Sequence, residues 1–359
     1  MSTLASTPGP LLAATQTFPT ALWNDSSDLE ELRQSISFGG VGATCNPVIA
    51  YTTISKHPDI WLPRIRAIAE AHPSWSESAI GWQAVKDMSV EAAALLEPIF
   101  HEHGGRNGRL SIQTDPRHHR DAQALADQAE EFHHLAPNIV VKIPATQVGI
   151  EAIEEATYRG VSVNVTVSFT VAQALRSAEA IERGLARREA EGLPVDDMGP
   201  VVTIMVGRLD DWIKAVVARD NLWIDHSALE WAGVATFKKA YGIFRERGIR
   251  PRLLCAAFRN PNHWAQFQGG DVVVSPPFQW QELINAHDHT PEALMDVPVP
   301  EEYVDQLLRI PDFVRAYEED GLAVEDFASY GATLRTLRQF LDADAKLDAL
   351  VRDVIVPAV

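Results

Sequence analysis

The run Ile139-Val140-Val141-Lys142-Ile143-Pro144 decides the fold. It is aliphatic without polar alternation, the pattern of a strand buried on both faces. Helical patterns flank it at 121–132 and 149–158, and a second such run follows at 161–167. Working outward, apolar runs recur at 20–23, 42–45, 109–114, 138–143, 161–167, 201–206, 252–257 and 271–275. Helical patterns separate the later ones. The clearest, 171–185, puts Val171, Leu175, Ala178, Ile181 and Leu185 on one stripe, with Thr170 placed to cap it. Others cover 209–218 and 229–246. Eight strands alternating with helices predict an α/β fold, a (β/α)8 TIM barrel. An open doubly wound sheet would want G-x-G-x-x-G between a strand and a helix. Gly39-Gly40-Val41-Gly42 does not supply it, and no P-loop pattern occurs.

The ends read differently. Residues 1–17 are rich in Ala, Ser, Thr and Pro and predict a flexible arm, which leaves 18–359 as a single barrel domain. From 298 onward only helical patterns occur (303–308, 323–341, 347–355), which predict appended C-terminal helices. Residues 187–200 read as an exposed loop.

Composition narrows the function. With 31 Lys plus Arg against 49 Asp plus Glu, the net charge is −18, which would repel nucleic acid and anionic membranes. An anionic small substrate therefore needs locally placed cations. Two cysteines, Cys45 and Cys255, exclude a disulfide scaffold and a four-cysteine zinc site. No apolar run approaches the ~20 residues of a membrane helix, and no signal peptide is legible. The expectation is a cytoplasmic protein with no metal, no nucleic-acid partner and no membrane.

Barrels carry chemistry at the C-terminal ends of their strands. The polar residues there are Asp25, Asn46, Gln113, Asp115, Lys142, Asn164, Thr166, Thr203, Arg208, Arg259 and Ser275. A lysine buried at Lys142 must be paired with a carboxylate or lose its proton, and a free amine can attack a carbonyl to form an imine. Both readings stand on these features alone. Asn164 and Thr166 share a face, as do Gln113 and Asp115, so inward orientation would gather amide, hydroxyl and carboxylate groups around the amine. The pairs His118-His119 and His133-His134 lie on or beside a polar helix and read as solvated histidines. His263-Trp264 and Phe278-Gln279-Trp280 either line the pocket or pack the helices.

Five ordered segments together carry a specific resemblance. They are Thr44-Cys45-Asn46-Pro47, Val141-Lys142-Ile143-Pro144-Ala145-Thr146 with Gly149-Ile150, Val163-Asn164-Val165-Thr166 with Gln173-Ala174, Val206-Gly207-Arg208 with Asp211-Trp212, and Ala257-Phe258-Arg259-Asn260. The sequence resembles the transaldolase family of lysine Schiff-base aldolases over about residues 20–276. The resemblance implies a cofactor-free enzyme of carbohydrate metabolism acting on sugar phosphates, in a family that is often dimeric. It implies an imine on Lys142, a general base at Asp25 (otherwise a helix cap), and a proton-shuttling Thr166 working with a water. It implies Asn46 and Asn164 on the dihydroxyacetone hydroxyls; the alternative for either is a turn cap. It implies a phosphate clamp of Arg208 and Arg259 with Thr203. Ser275, a strand-end hydroxyl, is a further substrate-binding candidate. Singly, each arginine reads first as a surface ion-pair member; together, on the loops after strands six and seven, they favour an anion site.

Two departures qualify the resemblance. Gln113 stands where the transferases place a glutamate; glutamine holds a water but cannot titrate. The fructose-6-phosphate aldolase branch also has glutamine there, yet carries tyrosine where Met205 stands, and the transferases phenylalanine. Asp115 is a substitute proton source or a structural partner of Arg117. The expectation is a transferase of a three-carbon dihydroxyacetone unit. The alternatives are a simple aldolase releasing dihydroxyacetone and a barrel that binds sugar phosphates without turnover.

Overall fold

A computed structural model describes residues 9–287 and 289–357. Its eight strands are β1 (Ala21–Asn24), β2 (Gly40–Thr44), β3 (Arg109–Gln113), β4 (Ile139–Pro144), β5 (Val163–Thr166), β6 (Val201–Ile204), β7 (Arg252–Ala256) and β8 (Val273–Ser275). They close in sequence order, every neighbour parallel, with β8 returning to β1. The expected (β/α)8 barrel is the fold found. Helices Ala122–His133, Gln147–Tyr158, Val171–Ala190, Val206–Arg219 and Ala232–Arg247 cover it, and Thr170 caps the third by accepting from the Gln173 N–H. That helix runs to Ala190, so only the later part of 187–200 is loop.

Two apolar cores hold the molecule. The larger lies between strands and helices. The smaller fills the barrel with Ala21, Trp23, Val140, Val201, Leu254, Ala256 and Val273. Trp23 is fully buried, and Gly42 makes room for it: a Cβ there would lie 2.5 Å from the indole. At the N-terminal rim of the barrel the Arg109 side chain is the knot. Nε donates to the Gly105 carbonyl (2.6 Å), Nη2 to the Asp197 carbonyl (2.6 Å) and Nη1 to Ser162 Oγ (3.3 Å). Burial pushes this guanidinium down to about 10. Arg109→Ala would strand those acceptors and is expected to cost about 3 kcal/mol in denaturant unfolding.

Three sequence expectations need correction. Residues 46–108, for which the sequence patterns named no helix, hold helices Pro47–Lys56, Pro58–Ala71 and Glu77–Glu102. Pro63 and Pro98 lie inside the last two and mask their periodicity. The expected flexible arm is partly helix, Pro10–Thr17, with Leu11 and Ala14 buried and the Leu11 N–H on Asn285 Oδ1. Proline at the first helical position favours that start. Residues 1–8 of the arm lie outside the described residues. In the tail, Glu301–Leu307 and Pro311–Tyr317 precede one continuous helix, Gly331–Ile355, where two were expected.

That last helix packs on Pro47–Lys56 and Glu77–Glu102. Its Asp344, buried, accepts from Trp82 Nε1 (3.1 Å) and pairs with Arg117 (3.1 Å), which also binds Asp115 and Asp348. Burial, then the nearby Asp115 charge, push the Asp344 carboxyl up to about 6 from 3.8. A raised folded value means the native state holds the proton more tightly. This contribution is therefore full below pH ~4 and is lost as pH rises through ~6. Asp344→Asn keeps the acceptor without the charge. It is expected to be about 1 kcal/mol more stable than wild type at pH 7, with the gap closing near pH 4, read as melting temperature against pH. Among the described residues no helix is long and apolar enough to cross a membrane.

Candidate active site

Register places the first group. Gln113 pairs with Lys142 across β3–β4, and Lys142 with Asn164 across β4–β5, so the three form one row. Val140 faces the barrel core, and alternation then turns Lys142 inward as well. Asn164 Nδ2 donates to Ser111 Oγ (2.9 Å), a bond between non-adjacent strands that crosses the lumen. Thr203 Oγ1 donates to Asn164 Oδ1 (2.8 Å). Lys142 is only 6 % exposed, and among the described residues its amine has no carboxylate within ion-pair distance. Burial depresses its basicity, Arg208 lowers it further, and the Asp25 and Cys45 charges act the other way. Of the two readings left open by the sequence, the unpaired amine is the one found.

Asp25 follows β1 and accepts a hydrogen bond from Thr44 Oγ1, which lies 3.3 Å from Ser275 Oγ. It caps nothing: Asp28 caps the next helix, Leu29–Ser37. Asp25 is thereby free to face a cavity of about 330 Å3 that Ser26, Val48, Pro277, Phe278 and Gln279 also line. Thr166 ends β5, buried, with Oγ1 4.0 Å from Met205 Sδ. Gln113 is buried, and among the described residues its Oε1 has no partner. Such an atom wants a donor, and a water is the simplest one.

Arg208 and Arg259 converge on a cavity of about 400 Å3. Gly207 lets them: a Cβ there would sit 1.9 Å from the Ala257 carbonyl oxygen. Burial and the neighbouring Arg259 push Arg208 down to about 10, still a cation at neutral pH. Arg208 Nη1 donates to Thr336 Oγ1 (3.3 Å) and to Gln339 Oε1, and Arg335 lines the same cavity with Lys214. Four cations against the single lining carboxylate, Asp211, suit a phosphate or another compact polyanion. The last helix thus supplies residues that no pattern in the tail announced.

Other expected residues take different places. Thr203 lies inside the barrel on Asn164, not with the arginines, because it precedes the β6 end that carries Arg208 out to the rim. Asn46 Oδ1 caps the Pro47–Lys56 helix, accepting from the Val48 and Ile49 N–H groups. Asp115 binds Arg117 and caps the turn Pro116–His118, the structural alternative. His263 is fully buried, its ring hydrogen-bonded within the protein, whereas Phe278 and Gln279 line the Asp25 cavity.

Comparison with known proteins follows the same outline. The family described as Transaldolase/Fructose-6-phosphate aldolase matches residues 22–342. A transaldolase of Thiobacillus denitrificans is 29% identical over 88% of this chain and 89% of its own. One from Neisseria gonorrhoeae is 30% identical over 88% of each chain. Transaldolase 1 of Streptomyces coelicolor is 31% identical over 76% of this chain and 72% of its own.

Proposed function

Since the chain belongs to the transaldolase/fructose-6-phosphate aldolase family, we propose that it transfers a three-carbon dihydroxyacetone unit from a ketose phosphate to an aldose acceptor through an imine on Lys142. The observation that carries this is the buried Lys142 amine, without a carboxylate partner among the described residues and with its basicity depressed by burial. In this reading the neutral amine adds to the ketose carbonyl at C2, and the carbinolamine loses water. Thr166 and a water held by Gln113 move the protons. Asp25 takes the proton of the C4 hydroxyl, the C3–C4 bond breaks, and the electron pair passes into the protonated imine to give an enamine. An aldehyde leaves. The acceptor aldehyde enters, the enamine carbon attacks it, and Asp25 returns the proton to the new hydroxyl. Water then releases the product and frees Lys142. Arg208, Arg259 and Arg335 hold the phosphate, while Asn164 and Ser275 receive the sugar hydroxyls. Thr203 orients Asn164.

Mass spectrometry after borohydride reduction with fructose 6-phosphate tests this. The expected adduct sits on Lys142; no adduct, or one elsewhere, refutes the reading. Gln113 favours a second reading, a simple aldolase, because a glutamine cannot relay a proton where the transferases use glutamate. Assays with and without erythrose 4-phosphate separate them: turnover that requires the acceptor is a transferase.

A further inference from the structure

The strand-end turn that carries Arg259 is held by a buried polar network that the proposed chemistry does not use. His263 and Asp210 are both fully buried, and His263 Nε2 lies 2.8 Å from Asp210 Oδ2. His263 Nδ1 lies 3.0 Å from the backbone nitrogen of Arg259. An N–H can only donate, so Nδ1 must accept. The ring proton is therefore on Nε2, donating to Asp210, and the imidazole is neutral. Asp210 Oδ1 accepts from the Gly233 N–H (2.7 Å), and Oδ2 also receives Asn260 Nδ2 (3.2 Å). Asn260 Nδ2 reaches Glu230 Oε2 as well (2.8 Å).

Asp210 stands two residues from Arg208 on the Val206–Arg219 helix. The network therefore ties the β6 end, with Arg208 and Asp211, to the β7 end, with Arg259. Two features oppose that closeness. The two guanidinium groups repel, which contributes to the depressed basicity of Arg208. Ala257, at the foot of the turn, sits at φ 64°, a left-handed conformation that costs a non-glycine residue about 1 kcal/mol or more. Something must hold the pair together before any anion arrives.

We propose that His263 is the positioning residue of the arginine pair, its neutral ring linking Asp210 to the Arg259 backbone so that both guanidinium groups face one anion. This rests on the reading of that pair as a phosphate clamp. Anion recognition depends on His263, and imine formation at Lys142 does not.

The test compares wild type with His263→Phe, which keeps a ring but has neither acceptor nor donor, and His263→Gln, whose amide offers one of each at similar spacing. Inorganic phosphate binding is measured by calorimetry, KM and kcat with fructose 6-phosphate, and Lys142 trapping with dihydroxyacetone, which carries no phosphate. His263→Phe is expected to weaken phosphate binding and raise KM roughly tenfold or more, with kcat and trapping little changed, and His263→Gln to recover most of the loss. Unchanged phosphate affinity overturns the proposal, as does a fall in trapping in step with KM. Should His263→Phe not fold, nitrogen NMR of the wild type decides: a protonated Nδ1 on His263 overturns it, and an unprotonated one supports it. If wild type traps dihydroxyacetone but binds no phosphate, the clamp reading and this inference fail together. If it binds phosphate without trapping, only the imine chemistry fails.

Discussion

Replacing Lys142 with arginine is expected to lower kcat by roughly 10^4-fold or more and to abolish borohydride trapping, while phosphate binding persists. The reason is specific to the nitrogen. Arginine keeps a cation and much of the length, but its guanidinium does not deprotonate near neutral pH and cannot form the imine. Lys142→Met removes charge as well and should trap equally little. It should also be the better folded of the two, because the buried amine finds no ion-pair partner and an apolar chain relieves its desolvation. Stopped assays over a day would detect residual turnover. A Lys142→Arg protein that retains more than about a hundredth of the wild-type rate excludes the covalent route.

The second large effect belongs to the clamp. Arg208→Ala and Arg259→Ala are each expected to lower kcat/KM for fructose 6-phosphate by roughly 10- to 100-fold, the range of a charged hydrogen bond of about 1.5–3 kcal/mol. Fructose without phosphate should be turned over by the variants about as poorly as by wild type. Arg208→Ala is expected to be the more damaging. Arg208 is half-buried and held by Thr336 and Gln339, whereas Arg259 is exposed and partly neutralised by Asp211 at 2.8 Å. Equal losses with fructose and its phosphate would show that the arginines do not read the phosphate.

The sequence discloses most of the barrel because its signals are local. β4 declares itself through unbroken aliphatic residues, and Lys142 stands out because a charge there is costly. Two of the helices between β2 and β3, Pro58–Ala71 and Glu77–Glu102, escaped because Pro63 and Pro98 interrupt patterns that packing later overrides. The site divides the same way. Lys142, Gln113 and Asn164 share a row that register explains, and alternation along each strand predicts it. Thr203 was assigned to the clamp by the resemblance, but its place inside β6 turns its hydroxyl to Asn164 in the lumen and not to the rim. Arg335 and Gln339 were invisible, since nothing in a helical pattern tells which barrel loop it will lie against. His263 looked like one packing residue among several, because its partner Asp210 is far away in sequence.

The contact of the Gly331–Ile355 helix with Arg208 has a consequence for how the protein matures. Synthesis proceeds from the N-terminus, and earlier segments begin to fold first. The eight strands and Lys142 are all made before Thr336, Arg335 and Gln339 leave the ribosome. On the proposed reading, a nascent chain with the barrel already closed would therefore possess its amine but lack a finished grip on the sugar's charged end. Reactivity toward free sugars would then come first, and selectivity would arrive with the final helix.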